Sequence, residues 1–190
     1  MGTHFANIHI QTDQLEEVLK ALQEVNPYRD QEIMGHFSKN IYVVGEYKKG
    51  WVSVLNDFFV WGEVSSFAEE LSSCLPFPVL AIGYFDDDVF EMNVFVDGSE
   101  STAQIWCSDG VREDYGLEDK EADISILAEL VGREHIDALN QLLSITDCEQ
   151  AVHALQRIIQ IPLWLRSDWL DTITDQELAQ KYIQYHFTSN

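Results

Sequence analysis

The stretch from Val79 to Val96 reads VLAIGYF-DDD-VFEMNVFV, two apolar runs separated by three aspartates. Each run has strand length and is rich in β-branched and aromatic side chains, and three polar residues between them make a hairpin turn. Asp97-Gly98 is a tight-turn signal, so residues 101–107 return as a further strand. Upstream, Ile41 to Tyr47 and Trp51 to Phe59 form a similar pair of strands around Lys48-Lys49-Gly50.

A helix lies between the two hairpins. Ser66 and Glu69 have capping-box spacing, Phe67, Leu71 and Leu75 give one apolar stripe, and Pro76 and Pro78 stop it. At the start of the chain Phe5 to Gln11 alternates, with Ile8 and Ile10 on one face. Thr12-Asp13 then caps a helix, with Glu16 as the box acid and Leu15, Val18, Leu19 and Leu22 as its stripe, and Asn26-Pro27 ends it. Residues 26–40 read as a polar loop, long for a compact domain. The order β-α-β-β-α-β is the ferredoxin-like order, here extended by two strands. The expectation is an α+β protein built on an antiparallel or mixed sheet.

From Ala122 onward the period changes to that of helices. Ile124 to Val131, Ile136 to Leu143, a helix boxed by Thr146 and Glu149, and one boxed by Thr174 and Glu177 with Leu178, Tyr182 and Tyr185 make about four. The chain thus divides into an α+β sheet domain at 1–108, an acidic loop at 109–121, and a helical subdomain at 122–190 packed on the sheet.

Composition limits function. The chain has 33 Asp and Glu against 11 Lys and Arg, a formal net charge of -22. Nucleic-acid binding needs cations for the phosphates, so that class is excluded. With 46% hydrophobic residues the chain is too apolar to be disordered. No apolar run approaches the ~20 residues of a membrane helix, and no basic-flanked leader is present, so a cytoplasmic protein without a membrane partner is expected. Cys74, Cys107 and Cys148 have no C-x-x-C spacing and read as reduced thiols.

Motifs for chemistry are sparse. There is no H-x-x-x-H pair, no G-x-S-x-G, and no G-x-G-x-x-G or Walker sequence, so no catalytic set, metal site or cofactor is assigned. Asp86, Asp87 and Asp88 could ligate a hard cation, but a solvated tip that discourages strand aggregation is the plainer reading. The same tip, with Asp114, Glu118 and Asp119 of the acidic loop, offers carboxylates to a basic protein. The function expected is a non-catalytic acidic protein-binding module, and an immunity-type inhibitor of a basic toxin fits that description. The alternative is a small-molecule binder or enzyme with an apolar cleft between sheet and helices, walled by Trp51, Trp61, Trp106 or Trp164.

Overall fold

A computed structural model describes residues 2–26 and 41–187 of the chain. Most of the loop expected at 26–40 lies outside the described residues. The elements run β1 (Phe5–Ile10), α1 (Leu15–Val25), β2 (Ile41–Gly45), β3 (Val52–Leu55), α2 (Val64–Ser73), β4 (Val79–Phe85), β5 (Val89–Val96) and β6 (Ser99–Trp106). Then follow α3 (Asp109–Tyr115), α4 (Ile124–Val131), α5 (Ile136–Leu143), α6 (Cys148–Ile159), α7 (Gln176–Gln180) and β7 (Tyr182–His186). The protein is α+β, with one seven-stranded sheet in the order β6-β5-β4-β1-β3-β2-β7. Every neighbouring pair is antiparallel.

Side chains alternate across this sheet, and both faces are covered. Ala6, Ile8, Ile10, Val52, Val54, Val79 and Ala81 face α1 and α2, where Val18, Leu22, Ala68 and Leu71 complete one core. Phe5, Leu80, Ile82, Tyr84, Phe90, Met92 and Trp106 face the other way, against Leu127, Leu139, Leu142, Val152 and Leu155 of α4, α5 and α6. Burial on two sides explains why residues 79–85 read as a continuous apolar run rather than an alternation.

Several expectations are corrected. The sheet is larger than the six strands read from the sequence, because residues 182–186 form β7 instead of extending the last helix. That helix spans only Gln176–Gln180, and Tyr182 pairs with Gly45, its ring lying where a Cβ at Gly45 would come within 2.5 Å. The stretch 109–121 is not all loop. Ser108 accepts from the Val111 amide, and Gly116 closes α3 in the left-handed conformation with φ 63°. β3 ends at Leu55, because Asn56 Oδ1 accepts from the Phe58 amide at 2.8 Å and turns the chain. Phe58 and Phe59 therefore leave the sheet. Four capping expectations also shift. Asp147 and Asp175, each one residue beyond the threonine read as the cap, accept from Gln150 and Leu178. Ser66 lies inside α2, whose first residue is Val64, and Asp13 accepts from the Gly50 amide instead of capping α1.

Candidate interaction surface

The Asp86–Asp88 turn is built by its own strain. Asp86 and Asp87 have φ of 55° and 62°, the left-handed values of the turn that matches strand twist, and the Asp88 amide donates to the Phe85 carbonyl at 3.0 Å. Aspartate tolerates this region better than most side chains. Two of the carboxylates also hold the start of the chain: Asp86 Oδ1 accepts from the Gly2 amide at 2.6 Å and Asp87 Oδ1 from the Thr3 amide at 3.1 Å. A Cβ at Gly2 would meet the Asp86 carbonyl carbon at 2.5 Å, so the contact is close. The Cys148 thiol, its pKa pushed up by burial, lies 3.1 Å from the Asp87 carbonyl oxygen. The turn is thus tied to the N-terminal segment and to α6, while the Asp87 and Asp88 side chains remain exposed.

The acids after β6 stand on a second support. Arg112 donates to the carbonyls of Glu118 at 2.6 Å and Ile105 at 3.3 Å, and its guanidinium lies 3.7 Å from Asp119. This holds the chain after α3 against β6, with Asp114, Glu118 and Asp119 exposed.

Between the two acidic groups lie three aromatic rings. Trp61 stacks on Phe85 at 5.2 Å, and Tyr115 approaches Trp61 at 6.1 Å and Phe85 at 6.0 Å. Tyr115 is 44% exposed. Phe85 immediately precedes Asp86, and Tyr115 follows Asp114. Neither was singled out from the sequence; the signal available was that each aromatic adjoins a candidate acid. Trp61 is fixed by donating its indole N–H to Glu91 Oε2 at 2.9 Å. Asn93 donates to Glu91 and Glu100, and the Lys120 ammonium reaches Glu100 at 2.9 Å. Burial is the largest single influence on Lys120 and lowers its pKa, but the bond to Glu100 and the negative charges of Glu100, Glu91 and Glu118 together outweigh it and hold the group above its usual range.

The four tryptophans do not share a cleft. Trp51, Trp106 and Trp164 belong to the core on the side of α4 to α6. Trp106 stacks on Phe90 at 4.9 Å, and Trp164 sits 4.9 Å from both Phe5 and Tyr84. Trp61 lies across the sheet, against Gly83, where an added Cβ would meet its side chain at 3.0 Å.

A buried polar chain in β1 and β3 has the residue types of a hydrolytic site. His9 lies 2.8 Å from Ser53 Oγ through Nδ1 and 2.7 Å from Asn7 Oδ1 through Nε2. Asn7 Nδ2 donates to the carbonyls of Leu163 and Leu165, both at 2.9 Å. Since the Asn7 amide nitrogen is committed there, its oxygen accepts from His9 Nε2–H, and Ser53 O–H donates to Nδ1. Burial pushes the His9 pKa down to about 3, so the ring is neutral. All three side chains are at most 1% exposed, and the chain's evident work is to pin residues 163–165 over β1.

Among the described residues no group of three or more His, Cys, Asp or Glu is arranged to hold a metal ion, and no helix is long and apolar enough to cross a membrane. No protein family, curated protein or solved structure matches this chain.

Proposed function

We propose that this protein is a non-catalytic acidic protein-binding module that engages a basic protein, in the manner of an immunity-type inhibitor. The observation that carries this reading is the Trp61–Phe85–Tyr115 cluster flanked by the Asp86–Asp88 turn and the acids at 114–119. Aromatic rings supply contact area at low entropic cost, and the carboxylates around them supply steering toward a cationic surface. Few of these charges are neutralised internally: beside the Lys120–Glu100 and Arg112–Asp119 pairs, the acids at 86–88, 114 and 118 have no cation within ion-pair distance among the described residues. We also read β1 to β4 with α1 and α2 as a split βαβ unit of ferredoxin-like order; the adjacency β4-β1-β3-β2 supports this, with β5, β6 and β7 as additions.

The experiment is capture of a partner from the source cell at low salt and again at roughly 0.5 M salt, where exposed charges are screened. One basic protein at near-equal stoichiometry, lost at high salt, is the expected result. With that partner in hand, Asp114→Lys with Glu118→Lys should slow association by about ten-fold or more at low salt. No partner at either salt, or an unchanged association rate, counts against the proposal.

A further inference from the structure

The two edges of the sheet are finished differently. At β6 the following chain folds back: the Ala122 amide donates to Gln104 Oε1 at 3.0 Å and the Asp123 amide to Thr102 Oγ1 at 2.7 Å. At the other edge β7 pairs with β2 alone among the described strands. Its sequence, YIQYH, holds no proline, lysine or acid, the devices that usually blunt an edge. Ile183, its second residue, is 56% exposed.

A cleft of about 430 Å³ adjoins this edge. One wall is Ile41 and Val43 of β2 with Gln184 of β7, side chains that the register Ile41↔His186 and Val43↔Gln184 places on one face. The facing wall carries Asp57, Asp168 and Asp171. Asp57 accepts from the Ser167 hydroxyl, and Asp168 pairs with Arg166 at 2.8 Å. Asp57 and Asp171 have no cation within ion-pair distance among the described residues, so the cleft carries a surplus of negative charge.

We propose that β7 is a strand-addition site for an extended, basic segment of a partner protein. The segment pairs its main chain with Tyr182–His186 and lays a lysine or arginine side chain in the cleft beside Asp57 and Asp171. Successive residues of an added strand point to opposite faces, so the next residue lies on the face of Ile183 and is apolar. The recognised pattern therefore alternates basic and apolar residues. A second copy of this chain is disfavoured as the occupant, because each copy carries -22. This site shares no residue with the Trp61–Phe85–Tyr115 surface, so either can fail without the other.

The test uses a blocked peptide of alternating lysine and valine, the same peptide N-methylated along its pairing edge, and a glutamate–valine peptide. Amide exchange of residues 182–186 and a binding titration are read for each. The lysine–valine peptide should bind and slow exchange in β7, and the other two should not. Asp57→Asn with Asp171→Asn should weaken binding by about ten-fold. Equal binding of the N-methylated peptide, or no added protection at 182–186, overturns strand addition. Equal binding of the glutamate–valine peptide, or no loss in the double variant, overturns the role of the cleft. A chain that self-associates through a protected β7 before any peptide is added overturns the choice of occupant.

Discussion

Strand β1 turns three side chains toward each layer of the molecule, and the two sets are held by different physics. Toward α1 and α2 it presents Ala6, Ile8 and Ile10, all at most 3% exposed and all apolar. Toward the C-terminal half it presents Phe5, Asn7 and His9, equally buried, and the last two are joined by hydrogen bonds to each other, to Ser53 and to the carbonyls of Leu163 and Leu165. The apolar side is non-directional, and any well-packed volume serves. The polar side is directional: the Asn7 amide fixes where two particular carbonyls sit, and so fixes how residues 162–165 cross the sheet.

The largest expected effects break the two sides of this comparison differently. Ile8→Ala should cost about 4 kcal/mol in denaturant unfolding, as a fully buried side chain leaves a cavity. Asn7→Ala should cost about 3 kcal/mol by leaving His9 Nε2 and the Leu165 carbonyl without partners and removing one of the two donors to the Leu163 carbonyl. Asn7→Leu restores the volume but not the donors, so it should remain close to Asn7→Ala. Full recovery in Asn7→Leu would show that packing, not the hydrogen bonds, holds this side.

A smaller effect appears with pH. His9 has its pKa lowered from 6.5 to about 3 by burial. The unfolded chain takes up a proton near pH 6.5 that the folded chain refuses, so the contribution is complete above 6.5 and declines as pH falls toward about 3. At pH 5 the loss should be about 2 kcal/mol relative to pH 7. Repulsion among the carboxylates eases over part of the same range with the opposite sign, so the measurement is the difference between the wild-type protein and His9→Gln. Parallel stability–pH curves for the two would contradict a neutral, buried His9.

The smallest effect separates a side chain that caps from one that only has the right spacing. Asp147→Ala should cost about 1 kcal/mol, and Thr146→Ala close to nothing, because Asp147 is the residue whose oxygen meets the Gln150 amide at 2.8 Å. Thermal unfolding of the two variants distinguishes them, and an equal loss would refute the assignment.

The same contrast describes how much of the protein was legible beforehand. β4 and β5, with the aspartate turn between them, were read correctly because length, β-branched content and turn chemistry act within a few residues. The capping boxes at Thr146 and Thr174 were misplaced by one residue, because aspartate follows threonine at both sites and either satisfies a spacing rule. For the candidate surface, the acids at 86–88, 114, 118 and 119 were visible as charge. Trp61 from the turn before α2, Phe85 from β4 and Tyr115 from α3 come together, and no spacing along the chain announces that meeting. The four tryptophans were proposed as one cleft because sequence does not say on which face of a sheet an aromatic residue lies.

The sequence by itself determined the acidic surface, the strand-rich first half, the helical period after Ala122 and most turn positions. These follow from composition and from interactions between near neighbours. Tertiary structure decided the fate of residues 182–186, which carry both a plausible helical stripe and an acceptable strand pattern. A five-residue segment has too little local free energy to choose. β2 offered an open edge, and Gly45 left room for the Tyr182 ring, so pairing between residues as far apart in the chain as Gly45 and Tyr182 settled what the local pattern left undecided.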